Sequence, residues 1–138
     1  MPAATLQSLV TTCDRLLRPA AFKDWDGAVN GLQVENRGLV TRLAAAVDAS
    51  SETVELAIHQ RADFLLVHHG LFWTRRVPWT GVNYRLLRRL LDNNLAVYSA
   101  HLPLDAHPRV GNNVLLARAL GFAPVSYTHL TLPTIYSV

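Results

Sequence analysis

The sequence contains a single cysteine, Cys13, among its 138 residues. A lone cysteine cannot form an internal disulfide and has no CxxC partner, so a disulfide scaffold and a cysteine-rich zinc site are both excluded. No hydrophobic run approaches the roughly 20 residues of a membrane span, and the N-terminus lacks the basic and then apolar layout of a signal peptide. These absences predict a cytoplasmic protein without a membrane partner.

Internal repeats, low-complexity segments and a glycine-rich phosphate loop of the Walker type are also absent from the sequence. Neither sign of charge dominates, since 13 basic residues face 10 acidic residues and give a net charge of +3. This balance slightly favours an anionic ligand such as a nucleotide phosphate, but it does not predict nucleic-acid binding. Arg85, Arg88 and Arg89 share one side of a predicted helix, where a solvated surface is the main interpretation and a phosphate site the alternative.

Half of the residues are hydrophobic, which is enough to build the core of one ordinary domain. The hydrophobic spacing alternates between helical and strand-like periods along the chain. It predicts helices at 5–17, 52–58, 82–93 and 112–120, and strands at 32–34, 43–47, 64–67 and 95–99. Such alternation favours an α/β fold, layered α/β/α with a mostly parallel sheet.

The stretch FLLVHHGLFW places two adjacent histidines, His68 and His69, at the end of a predicted strand. Ligands of open α/β sheets bind beyond the carboxyl ends of the strands, so this position favours a binding role. Neighbouring residues of an extended strand point in opposite directions, and the two histidines would therefore serve two metal ions more easily than they would chelate one. The alternative is a pair of hydrogen-bonded histidines at the boundary of the core.

A second polar cluster, HLPLDAH, follows the strand predicted at 95–99 and contains His101, Asp105 and His107. If the strands are parallel, this cluster lies at the same edge of the sheet as the histidine doublet. Asp105 is a candidate ligand, with a turn or a helix cap as the alternative, whereas His107 is expected in a loop. His59 is expected on the surface of a helix.

Three motifs in this order, NGLQVE, ADFLLVHHGLFW and YSAHLPLDAHPRVGNN, resemble the N-terminal half of the dinuclear metal-centre family. These are the Nif-three-like proteins, often labelled GTP cyclohydrolase I type II homologues. The resemblance implies that His68 and His69 each bind one of two divalent metal ions and that Asp105 is a further ligand. His101 matches a histidine that lies near the centre, and only that proximity is implied.

The same resemblance implies a function for the complete protein. A pair of ions, for which zinc, manganese and iron are all candidates, would support metal-assisted hydrolysis of a nucleotide-like substrate. The family label names the ring opening of GTP, and complete members form toroidal hexamers. The alternative is a non-catalytic metal-binding or regulatory interaction protein, because a fold and a metal do not themselves supply an activity.

Residues 1–124 are expected to form the N-terminal half of the family's domain, so that the α/β/α fold is incomplete at its C-terminus. The resemblance implies a further segment with a histidine and a glutamate that complete the metal centre. The stretch at 125–138 begins with VSYTHLTLPT, which resembles an in-frame translation of a transposase adapter used in sequencing libraries. We therefore expect 125–138, which includes His129, to be a non-native tail, with a genuine β-strand as the alternative.

Overall fold

The computed structural model describes residues 3–72 and 77–122. Its strands are β1 (Ala4–Thr5), β2 (Gly31–Val34), β3 (Leu39–Val40), β4 (Leu43–Asp48), β5 (Phe64–His69) and β6 (Ala96–Ser99). Its helices are α1 (Leu6–Leu17), α2 (Ser51–His59), α3 (Gly81–Asp92), α4 (Leu102–Asp105) and α5 (Asn112–Ala119), with one turn of 3-10 helix at Pro19–Ala21. The segment 125–138, for which we predict a non-native origin, lies outside the described residues.

A four-stranded sheet with the order β2-β6-β5-β4 forms the centre of the fold. β4 pairs with β5 and β5 pairs with β6 in parallel, whereas β2 runs antiparallel to β6. The prediction of a mostly parallel sheet is therefore confirmed. The carboxyl ends of the parallel strands share one edge, and the antiparallel direction of β2 places its first residue, Gly31, opposite Ser99 at that same edge.

One face of the sheet is covered by α2 and α3. These helices contribute Val54, Ala57 and Leu90 to a buried cluster with Leu65 and Val67 from β5. Full burial of an aliphatic side chain contributes about 1.5 to 3 kcal/mol, so this cluster is a main source of stability for the sheet. It also fixes the position of the strand that ends in the histidine doublet.

The opposite face is covered by α1, which completes the predicted α/β/α layering. Leu6 and Leu17 of this helix pack in a cluster with Phe64 and Tyr98 of the sheet. The hydroxyl of Tyr98 donates a hydrogen bond of 2.7 Å to the carboxylate of Asp14 on α1. Burial, and then this bond to Asp14, raises the pKa of Tyr98 well above its usual value.

Side-chain caps begin two of the helices. The hydroxyl of Thr5 accepts a hydrogen bond from the backbone N–H of Ser8 at the start of α1, and that of Ser50 accepts one from Thr53 at the start of α2. Because Ser50 begins a helix two residues after β4 ends, the chain leaves the sheet directly at its carboxyl edge. None of the helices in the described part of the chain has the length and hydrophobicity that a membrane crossing needs.

The arginines of α3 form an exposed helix face, as expected for a solvated surface. Arg88 forms an ion pair with Asp92 one turn further along α3, and Arg89 forms one with Glu55 on α2. Exposed pairs of this kind contribute little to stability. They do, however, pair two of the three arginines of the alternative phosphate site, Arg88 and Arg89, with carboxylates.

Candidate metal centre

Three histidine side chains converge at the carboxyl edge of the sheet. His68 and His69 end β5, and His101 follows shortly after β6. The candidate ligand nitrogens of these residues all lie within 4.8 Å of one another. The ring centroid of His101 is 4.9 Å from that of His68 and 5.6 Å from that of His69. Parallel pairing of β5 with β6 thus brings the two polar clusters of the sequence to one place.

The rings of His68 and His69 do not point to opposite faces of the sheet, which corrects the expectation from an extended strand. Their centroids are 4.6 Å apart and their planes are inclined by 43°, too close for rings on opposite faces. Val67 is the last residue of β5 that pairs with β6, and beyond it the strand pairs only with β4. We attribute the change of direction to the loss of this second partner strand.

The Nδ1 nitrogen of each ring is held by an oxygen that accepts a hydrogen bond. The pairs are His68 with the Ala100 carbonyl at 3.0 Å, His69 with the Asp48 carboxylate at 2.7 Å, and His101 with the Asp24 carboxylate at 2.9 Å. A carbonyl or carboxylate oxygen has no proton to donate, so each Nδ1 carries the proton of the bond. A neutral ring then has its lone pair on Nε2, which is the form in which histidines held in this way bind metals.

Asp105 approaches the cluster from the single turn of α4. Its Oδ2 lies 3.6 Å from Nε2 of His68, and its Oδ1 accepts a hydrogen bond of 2.9 Å from Nδ2 of Asn112. Two atoms that bind the same ion at 2.0 to 2.2 Å lie roughly 3 to 4 Å apart, so this separation suits a shared ion. Asp105 therefore enlarges the cluster on the side of His68, outside the group of three histidines.

Asp24 is the most deeply buried acidic group at this edge, with a side chain that is 5% exposed. Its carboxylate accepts hydrogen bonds from Nδ2 of Asn30, Nδ1 of His101, and the backbone N–H groups of Trp25 and Leu102. Burial raises the pKa of Asp24, but the bonds from Asn30, His101 and the two backbone groups outweigh burial and lower the pKa below its usual value. The carboxylate is consequently ionised at neutral pH.

Sequence reasoning missed three residues that orient the histidines: Asp24, Asn30 and Asp48. Asp48 ends β4, so the strand-end argument that selected His68 would also have selected this aspartate. Asp24 and Asn30 precede β2, and they reach the site because β2 runs antiparallel to β6. The hydrophobic pattern of a short strand does not reveal its direction, so no signal in the sequence places these two residues here.

Two further histidines lie where the sequence predicted them. Nδ1 of His107 accepts hydrogen bonds from the backbone N–H groups of Arg109 and Val110, which close the loop between α4 and α5. His59 is exposed at the end of α2. Neither belongs to the cluster of possible ligands found among the described residues, and His129 lies beyond that part of the chain.

The donor atoms at this edge suit a transition metal ion. Imidazole nitrogens combined with carboxylate oxygens are typical ligands of zinc and iron, and a carboxylate also suits manganese. The side chains of His68, His69 and His101 are 15%, 30% and 17% exposed, so an ion can reach them from solvent. The residues present therefore fit the metal that the sequence resemblance implies.

A protein-family model matches most of this chain. The model described as Duf34/NIF3 (NGG1p interacting factor 3) matches residues 4–131. The chain belongs to the Duf34/NIF3 family. The matched range includes β4, β5 and β6 and all of the side chains that form the cluster, and the resemblance inferred from the three sequence motifs is confirmed.

Curated relatives carry the name GTP cyclohydrolase 1 type 2 homolog. The protein of Deinococcus radiodurans is 46% identical over 112 residues, which cover 81% of this chain and 42% of the relative. That of Pseudomonas aeruginosa is 46% identical over 121 residues, which cover 87% of this chain and 47% of the relative. The chain thus spans about half the length of the curated relatives it matches.

Solved structures of the Duf34/NIF3 fold superpose well on this chain. TTHA1606 from Thermus thermophilus has a TM-score of 0.81 and 45% identity, covering 86% of this chain and 48% of that protein. Reduced HcgD from Methanocaldococcus jannaschii has a TM-score of 0.75 and 28% identity, covering 86% of this chain and 47% of that protein. The predicted α/β fold class is confirmed by these likenesses.

Proposed function

We propose that this chain is a metal-binding unit of a dinuclear Duf34/NIF3 protein, in which His68, His69 and Asp105 are ligands of two divalent ions. The observation that supports this proposal is the convergence of the side chains at one edge. The histidine nitrogens lie within 4.8 Å of one another, and Asp105 is 3.6 Å from His68. Zinc, manganese and iron are the candidate metals for such donors.

For the whole protein, we propose metal-dependent hydrolysis of a nucleotide-like substrate. Bound divalent ions would acidify a water molecule and neutralise an anionic oxygen of the substrate. Within this chain, His68, His69 and Asp105 hold and orient the ions and do not attack the substrate themselves. The hydrogen bonds at each Nδ1 keep the rings in place for that task.

The substrate class and the oligomeric state are proposed for the full-length protein, of which this chain matches about half. The name GTP cyclohydrolase 1 type 2 homolog, which the curated relatives carry, suggests a purine nucleotide. The remaining ligands would come from the portion of the relatives that this chain does not match. A homo-hexamer, which the family resemblance implies, is the proposed assembly of the whole protein.

Calorimetric titration of this chain with zinc or manganese tests the metal-binding proposal. We expect the parent chain to bind at least one ion, His69→Ala to weaken that binding at least tenfold, and His59→Ala to leave it unchanged. His59 is the matched control because it is an exposed histidine outside the cluster. If the parent chain released no heat with either ion, metal binding by this chain would be refuted.

The hydrolase proposal requires a second experiment on a longer relative, such as the Pseudomonas aeruginosa protein. We expect metal-dependent consumption of GTP or a related nucleotide, and its loss when the histidine that aligns with His69 is replaced by alanine. Ion binding without any nucleotide turnover would instead favour the alternative of a non-catalytic metal-binding or regulatory protein.

A further inference from the structure

A small cavity lies where the C-terminal end of α1 meets the loop between α4 and α5. Its volume is about 290 Å³, which is near the lower limit for small-molecule sites in proteins. Its walls are mostly apolar and include Leu17, Phe22, Pro103 and Pro108. None of the candidate metal ligands lines this cavity, so it is a separate feature of the fold.

Two side chains with hydrogen-bond donors, Arg18 and His107, line the same cavity. Nδ1 of His107 accepts hydrogen bonds from the backbone N–H groups of Arg109 and Val110, so this nitrogen carries no proton and Nε2 is the donor of the ring. No acidic residue of the described part of the chain lines the cavity. The cavity therefore combines one positive charge and one neutral donor with apolar walls.

The conformation of Arg18 is unusual for an arginine. It follows the last residue of α1 with φ 52° and ψ 53°, in the left-handed region that favours glycine at the end of a helix. Its backbone N–H donates to the carbonyl of Asp14, but its guanidinium forms no hydrogen bond or ion pair with the residues that the structure describes. The cap of α1 thus gains nothing from this side chain that glycine would not supply.

We propose that this cavity is a binding site for a small carboxylate with an apolar body, and that Arg18 binds the carboxylate group. A guanidinium can hold both oxygens of a carboxylate in a bidentate pair, and Nε2 of His107 can donate to one of them. One positive charge matches one negative charge, whereas a phosphate dianion would bring a second charge and acceptors that this site leaves unpaired. The inference is independent of the proposed metal-binding function.

Benzoate is a suitable probe because it joins an apolar ring to a single carboxylate. It is titrated into the isotopically labelled chain, with a chelator present so that it cannot bind through a metal ion, and backbone amide shifts are followed by NMR. We expect saturable shifts at Arg18, Ala21 and His107. The dissociation constant should be roughly 1 to 10 mM, as for a ligand of about ten heavy atoms with ordinary ligand efficiency.

Benzyl alcohol and phenyl phosphate test the charge of the ligand. Benzyl alcohol carries the same ring without a charge and should bind at least tenfold more weakly than benzoate, because it cannot pair with Arg18. Phenyl phosphate carries the same ring with a larger charge and should bind no more tightly than benzoate.

Arg18→Gly separates a binding role from a structural role. Glycine adopts the left-handed conformation readily, so the urea midpoint of this variant should be no lower than that of the parent chain. Its affinity for benzoate should nevertheless fall at least tenfold, because the charged hydrogen bonds are lost. Arg15→Gln is the matched control, since it removes an exposed positive charge from the last turn of α1 outside the cavity and should leave the affinity unchanged.

His107→Asn tests the second donor. The side-chain oxygen of asparagine can accept the N–H group two residues further along the chain, as Nδ1 of His107 does for Arg109, so the loop stays closed. The Nε2 donor is lost, and we expect benzoate to bind roughly three- to tenfold more weakly.

The inference would be overturned if the parent chain showed no saturable shifts around the cavity, or if Arg18→Gly bound benzoate as tightly as the parent chain. Equal affinities for benzyl alcohol and benzoate would reveal an apolar groove without an anion site, which would also overturn it. Tighter binding of phenyl phosphate than of benzoate would refute the assignment to a carboxylate. Each of these results leaves the calorimetric test of the metal centre unaffected, because that test depends on different side chains.

Discussion

Replacement of Tyr98 by phenylalanine would remove one buried hydrogen bond and leave the packed ring in place. Tyr98 is 0% exposed, and its hydroxyl lies 2.7 Å from the carboxylate of Asp14. A hydrogen bond to a charged group contributes about 1.5 to 3 kcal/mol, and the exposed Asp14 regains part of this by binding water. We therefore expect Tyr98→Phe to lower the free energy of unfolding by about 1 to 2 kcal/mol.

Urea denaturation followed by circular dichroism measures this loss. The midpoint should fall by about 0.5 to 1 M with an unchanged slope, because the variant exposes the same surface on unfolding. Tyr84→Phe is the matched control, since Tyr84 is 50% exposed on α3 and its loss should be below about 0.5 kcal/mol. A loss for Tyr98→Phe no larger than that of Tyr84→Phe would refute the reasoning.

Tyr98 should also make the free energy of unfolding fall as the pH rises into the alkaline range. Burial and the bond to Asp14 raise the pKa of Tyr98 in the folded state, so folding favours the neutral phenol. This contribution is fully present below the usual tyrosine pKa of about 10 and is lost as the pH rises above it. Between about pH 10 and 11, the parent chain should therefore lose stability more steeply than Tyr98→Phe. Equal slopes would show that the phenol proton is not coupled to folding.

Three further outcomes are expected in denaturation experiments. Leu90→Ala should lower the free energy of unfolding by about 2 to 5 kcal/mol, because Leu90 is 0% exposed between α3 and the sheet. Burial raises the pKa of Asp63, but hydrogen bonds from the Thr41 hydroxyl and from the backbone of Arg42 and Thr41 outweigh burial and lower that pKa. The contribution of Asp63 to the free energy of unfolding is therefore complete above about pH 4 and is lost as the pH falls. We expect Asp63→Asn to make the free energy of unfolding less dependent on pH in the acid range. Deletion of 125–138 should change the free energy of unfolding by less than about 2 kcal/mol, the scale of a core truncation, and a larger loss would contradict its predicted non-native origin.

The histidines of the site could be predicted from the sequence because they lie at the ends of buried strands or just beyond them. The run FLLV is apolar without interruption, as expected for a strand covered on both faces, and it ends at His68. The strand before His101 is likewise buried at every residue, although it ends in Ser99. Parallel pairing then places both ends at one edge, so a rule about strand ends was sufficient to select these residues without any knowledge of their partners.

The orientation of the rings could not be predicted, because it depends on contacts that no local pattern encodes. Whether His68 and His69 face the same side depends on where the pairing of β5 with β6 stops, which is a matter of register. The contact of Asp24 with His101 depends on the direction of β2, and four residues of hydrophobic alternation are compatible with either direction. Both features arise from long-range pairing.

The contacts that orient the three histidines also set the order of events during folding. They join residues that are 21 positions apart for Asp48 and His69, 32 for His68 and Ala100, and 77 for Asp24 and His101. No short peptide from this chain contains all three contacts, and on the ribosome the complete set cannot form before residue 101 has emerged. Closing such long loops is slow relative to helix formation, so the oriented cluster appears late. If the proposed ions bind only this late state, they would stabilise it relative to the unfolded chain, and the yield of native chain would then depend on the supply of metal.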